Sequence, residues 1–203
     1  MFLFLYWQNW VRWYNNYMEI PTHGIPKIIN KIFKRGHFPS RSTETYRPST
    51  ARLVNCFGHA CFNLEDNDIL ANFTASEMKY YLRTFLGRFW SRNSGQMEQE
   101  FQEKIKETGL KVEKSSIDEK LKENQWKVAF YFRDAVVNEE YVGTDPHFMI
   151  QTKSGFWTSK MGGDEKVEVF KELPEEFGYG YVLQGIYKIT NPYIEKEVDE
   201  ENE

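Results

Sequence analysis

Val54-Asn55-Cys56-Phe57-Gly58-His59-Ala60-Cys61-Phe62 is the stretch on which the reading of this chain turns. A cysteine is followed by an aromatic, a small residue, a ring and another small residue. That spacing predicts a helix buried along one side, with the Cys56 thiol in its first turn. A helix N-terminus carries about half a positive charge, which favours thiolate over thiol. On one helix Cys56 and Cys61 point about 140° apart and cannot bridge. With only two cysteines in the chain, no disulfide framework is expected.

A second segment lies far downstream. Asp145-Pro146-His147-Phe148-Met149-Ile150 places a histidine on an expected strand. A cysteine and a distant histidine are the minimum for a thiol nucleophile. Pro146 argues for a strand start or edge, from which the next side chain reaches a cleft.

The 203 residues suffice for one domain. Hydrophobic residues make up 40% and aromatics 17%, enough large pieces for a core. A net charge of −4 argues against a broad nucleic-acid face, so no nucleic-acid partner is expected. The N-terminus, Met1-Phe2-Leu3-Phe4-Leu5-Tyr6-Trp7, is too short an apolar run to span a bilayer, and it lacks the basic start of a signal peptide. Three readings of residues 1–17 stay open. They are an aromatic helix packed on the domain, an interfacial membrane contact through Trp and Tyr, and an upstream extension with Met18 as the true start. Without a leader or a spanning helix, the expected location is the cytoplasm or, after delivery, a host cell.

The organisation is read as three parts. Residues 1–45 form an aromatic and basic extension or propeptide-like segment, 46–194 the domain, and 195–203 an acidic tail expected to be disordered. Ile25, Ile28, Ile29 and Ile32, with Lys27, Lys31 and Lys34 between them, predict a short basic amphipathic helix. Further helices are expected from Ser76 to Trp90, from Gln96 to Thr108 with Gly109 as the stop, and from Ser116 to Glu123. From Trp126 the period changes to strands: 126–132, 146–152, 156–158, 167–170 and 181–189. The expected fold class is α+β, with N-terminal helices carrying the cysteine, followed by an antiparallel sheet carrying the histidine.

That order resembles the papain-like cysteine peptidase fold. Cys56-Phe57-Gly58-His59-Ala60 is similar to that family's nucleophile run at the start of a central helix. His147-Phe148-Met149-Ile150 is similar to its histidine strand. The segment from His147 through Gly155-Phe156-Trp157-Thr158-Ser159-Lys160-Met161-Gly162 also resembles a pattern of poorly characterised bacterial and phage papain-like proteins. The resemblance spans about residues 50 to 190. It implies a papain-like domain and a thiol peptidase with Cys56 as nucleophile and His147 as base. Two departures stand out. Thr50 occupies the place of the family's oxyanion glutamine, and the third catalytic residue is not fixed. Asn55 is the substitute amide donor. Asp164 is the first choice to orient His147, ahead of Ser159 and Asn191.

The expected function is a cysteine-dependent hydrolase that cleaves a peptide or isopeptide bond through a thioester. Its rivals are a catalytically silent module that binds a protein partner, and an acyltransferase or deamidase using the same pair. Gly58 and Trp157 are assigned to substrate contact. The bland alternatives are an inert buried thiol for Cys56, a solvent-facing histidine at 147, and a core role for Trp157. Cys56, His59, Cys61 and His147 are all legal zinc ligands, but Cys61 leaves the face shared by Cys56 and His59. No metal and no cofactor are therefore expected, and His59 and Cys61 are read as packing residues. The partner is a protein or peptide substrate, and the oligomeric state is left open.

Overall fold

The computed structural model describes residues 54–65, 94–137, 140–161, 166–178 and 180–192. Two helices and seven strands occur among them: α1 (Cys56–Phe62), α2 (Ser94–Lys106), β1 (Lys111–Ser115), β2 (Gln125–Val137), β3 (Glu140–Gln151), β4 (Trp157–Lys160), β5 (Val167–Phe170), β6 (Glu176–Phe177) and β7 (Tyr181–Thr190). All the strands join one antiparallel sheet in the order β1-β7-β2-β3-β4-β5, with β6 pairing to β7.

This overturns the expected papain-like α+β layout, in which a helical half carries the cysteine and faces a sheet half. The described residues are dominated by the sheet, and the cysteine stands on a helix of 7 residues rather than a long central one. The physical reason is compositional. From Lys111 onward, β-branched and aromatic residues alternate through β2, β3 and β7, and each strand finds its neighbour. The helices expected around Ile25 to Ile32 and from Ser76 to Trp90, the acidic tail, and the structure of residues 1–45 lie outside the described residues. Residues 116–124 are turns and irregular backbone rather than a helix. There Ser115 Oγ donates to Glu119 Oε2 at 2.7 Å, and Lys188 pairs with Glu119 across the sheet.

Strand alternation divides the core in two. Val128 and Phe130 of β2, Phe148 and Ile150 of β3, and Tyr187 and Ile189 of β7 share one cluster with the buried faces of both helices. Met97, Phe101 and Ile105 recur every four residues along α2, which is why that helix lies down on the sheet. Phe101 stacks on Phe130 at 5.4 Å, and Phe57 packs against Phe148 at 5.1 Å. Ala129, Tyr131, Met149 and Trp157 turn to the other face, where Phe177 and Tyr181 join them. Tyr131 Oη donates to the Pro174 carbonyl at 2.7 Å, tying the segment before β6 over this second face. Gly109 ends α2 at φ 85°, and Gly155 turns the β3–β4 hairpin at φ 91°. Both are left-handed angles that side chains with a Cβ resist.

Candidate functional site

Cys56 is the first residue of α1. Asn55 caps that helix: its backbone is extended and its Oδ1 accepts from Gly58 N at 3.0 Å. The amide of Asn55 is thereby committed through its oxygen to the helix end, and Gly58 is a buried helical residue supplying the N–H. Asn63 closes α1 in a left-handed conformation. These caps fix a two-turn helix and with it the direction of the Cys56 side chain.

The main chain at Phe148 and Phe57 lies close enough to the Cys56 sulfur to favour its thiolate. The first of these docks the thiol on β3, next to the residue that follows His147. Strand alternation turns His147 away from Phe148, so its ring lies on the second face, 5.1 Å from Phe177 and 5.2 Å from Tyr181. The two side chains thus approach β3 from different sides. They make no hydrogen bond to each other. His147 Nε2 pairs with Ser159 Oγ at 2.7 Å, both groups being buried.

Burial sets the charge state of this pair. The Cys56 thiol is pushed up to about 12, first by desolvation and then by the negative charge of Asp145; the main chain at Phe148 and Phe57 and the Lys160 charge act in the opposite direction. His147 is pushed down to about 3 by desolvation, with Arg133 adding to the shift. Thiol and imidazole are therefore both neutral at rest. The thiolate expected from the helix end does not form, because a helix-end half charge contributes about 1 kcal/mol and removal of a charge from water costs several times that. Cys61 is fully buried, and its thiol is also driven upward by desolvation.

Charged groups lie near both residues. Asp145 Oδ2 accepts from Tyr181 Oη at 2.6 Å and from Arg133 Nη2 at 3.0 Å, and the Arg133 guanidinium lies 4.7 Å above the Tyr181 ring. Lys160 is a fully buried lysine near enough to act on the Cys56 charge. None of Asp145, Arg133, Tyr181 and Lys160 is assigned a catalytic role by the sequence reading.

The remaining candidates fall in different places. Trp157 is 1% exposed and sits in the second-face core, so it lines no open cleft. Asp164 and Thr50 lie outside the described residues. Asn191 is buried at the far end of β7, where its N–H and carbonyl both bond Asn124. His59 Nε2 pairs with Thr158 Oγ1 at 3.2 Å under α1. Among the described residues, no three metal-ligating side chains converge. Ser159, a secondary choice in the sequence, is the side chain that holds His147. The hairpin register carries the missed signal: Met149 faces Ser159 across the β3–β4 turn, which brings residue 159 alongside 147 on the same face.

The model of one family, described as a domain of unknown function (DUF7689), matches residues 45–187. The chain belongs to the DUF7689 family. The match begins where the N-terminal extension was expected to end and runs into β7. No curated protein and no solved structure matches the chain. Among the described residues, no helix is long and apolar enough to cross a membrane.

Proposed function

We propose that this DUF7689 chain is a cysteine-dependent acyl hydrolase acting on a peptide or isopeptide bond, with Cys56 as nucleophile, His147 as base and Ser159 as the residue that orients His147. The observation behind this reading is adjacency along β3, with the thiol on one side of the strand and the imidazole on the other. The Cys56 sulfur lies near the main chain of Phe148, and the preceding side chain, His147, is held through Nε2 by Ser159. These are the residue types of thiol catalysis, with the base–orienter bond formed and the nucleophile–base bond not formed. On this reading the Cys56 sulfur attacks the acyl carbon once the His147 ring is brought within reach of its proton, and His147 then returns that proton to the departing amine. Water then hydrolyses the thioester. Moving the proton from Cys56 to His147 creates two opposite charges together, so each offsets part of the burial cost the other meets alone.

A second reading has its own support. The neutral state of both groups, with the thiol near 12 and the imidazole near 3, favours a catalytically silent module that binds a protein partner. An activity-based thiol probe separates the two when applied to wild type, Cys56→Ala and His147→Ala at neutral pH. The hydrolase predicts fast labelling that is lost in both variants. Slow labelling indifferent to His147→Ala would leave the binding module standing.

A further inference from the structure

Lys160 is the last residue of β4, and it is 1% exposed. A lysine buried that far is uncommon, because an ammonium taken out of water must meet charges or acceptors that replace it. Three placements put it on the α1 side of the sheet, beside Cys56. The first is strand alternation. Thr158 faces α1, where it bonds His59, so Lys160 two residues on faces the same way. The second is pairing. Lys160 stands opposite Val167 of β5, and Val167 packs on the same core cluster as Cys56. The third is the β3–β4 ladder. Met149 faces Ser159, so one position further the register sets Lys160 level with Phe148, whose main chain lies near the Cys56 sulfur. His147 lies on the other face, so the cation on the thiol's own side is Lys160.

We propose that the Lys160 ammonium is the charge partner of Cys56, placed to offset the negative charge that gathers on the sulfur as its proton leaves. This pairing deepens the reading above and rests on Cys56 being the nucleophile. The ammonium keeps its own protons throughout, and the proton leaving the sulfur goes to His147. Other titratable groups face the sulfur from each element around it. Asp145 of β3, itself paired with Arg133 of β2, acts against Lys160 by raising the thiol. Tyr181 of β7 stays neutral, since burial drives its hydroxyl upward. Within α1 the neighbours are His59, bonded to Thr158, and Cys61, whose own thiol is raised by burial. Lys160 and Asp145 thus pull the sulfur in opposite directions, and removing either charge should move it the opposite way from removing the other.

Alkylation of the full chain by iodoacetamide across the neutral to alkaline range tests it, with fragmentation of the peptide that carries both cysteines. The rate at Cys56, which is half-buried, follows its thiolate fraction. Cys61 is fully buried, so its labelling reports molecules that unfold. Lys160→Met should slow Cys56 about tenfold at each pH below the thiol's midpoint, as loss of a close opposite charge does. Lys160→Arg, which keeps the charge, should retain most of the rate, and Asp145→Asn should raise it. Lys160→Gln repeats the neutral test if labelling of Cys61 shows that Lys160→Met has unfolded. Neutral variants that label Cys56 at the wild-type rate or faster, at matched Cys61 labelling, overturn the pairing. So does a Lys160→Arg chain as slow as Lys160→Met, which would mean that shape rather than charge matters. Labelling indifferent to His147→Ala removes the base and leaves this pairing standing, so the two readings fail separately.

Discussion

Each face of the sheet holds one buried histidine against one hydroxyl of β4. His59 comes down from α1 onto Thr158, and His147 rises from β3 onto Ser159, the very next residue. The bonds differ in length, 3.2 Å against 2.7 Å, but the larger difference lies in the surroundings. His59 sits three residues along the helix from Cys56 and packs beneath it. His147 adjoins Phe148, whose main chain lies near the thiol, and it shares its face with Asp145, Arg133 and Tyr181. Burial alone therefore does not mark a functional histidine. What separates the two is the charged cluster of Asp145, Arg133 and Tyr181 on the His147 face.

Removal of the two rings in turn is the strongest way to break this comparison. On the proposed reading, His147→Ala lowers kcat by about a thousandfold or more, as loss of a general base does. His59→Ala retains the activity of the folded fraction and lowers stability by about 1–3 kcal/mol, the cost of a buried Thr158 left without its partner. Equal loss of activity in both variants, at matched folded fraction, would erase the distinction.

Acid provides a second contrast. His147 is held near 3 in the folded chain, against 6.5 as its ordinary value. A histidine depressed by folding binds more protons when unfolded, so its contribution is fully present above about pH 6.5 and is lost as pH falls toward 3. Wild type should lose about 3–5 kcal/mol more than His147→Gln between pH 7 and pH 3.5, read from urea midpoints. Parallel acid profiles for the two proteins would mean that His147 is not buried as described.

The smallest effect separates the two hydroxyls. Ser159→Ala and Thr158→Ala should each cost about 1–3 kcal/mol of stability, because each leaves a buried ring nitrogen unpartnered. Only Ser159→Ala should also lower kcat, by about tenfold with KM unchanged, since an orienting group contributes less than the base it orients. A kcat change in Thr158→Ala of the same size would sharpen the site differently and bring His59 into it.

Much of the strand order was legible in the sequence. The period-two runs of β2 and β7 and the turn at Gly155 announce themselves by β-branched and aromatic content. Helix α2 was legible as a charged segment from Gln96 to Thr108 with Gly109 as its stop, and it runs from Ser94 to Lys106. The global layout was not, because helix and sheet segments can be ordered correctly in a chain and still assemble on another plan. In the site, Cys56 at a helix start and His147 on a strand follow from local pattern. The charge state does not, since desolvation depends on what Phe57, Phe148 and Tyr181 pack around the two groups. Ser159 was legible only as a secondary choice behind Asp164, because its place beside His147 is fixed by hairpin register rather than by any motif.

Strand β4 is only four residues long, yet its two central hydroxyls serve opposite sides of the molecule. The spacing that delivers both is set by the turn around Gly155, where Thr152 N–H reaches the Phe156 carbonyl at 2.7 Å. Shortening that turn by one residue would rotate β4 by one side-chain position and uncouple both histidines at once. The length of this turn is therefore under tighter constraint than its composition. Exchanges at the exposed Lys153 are tolerable there, and deletions are not.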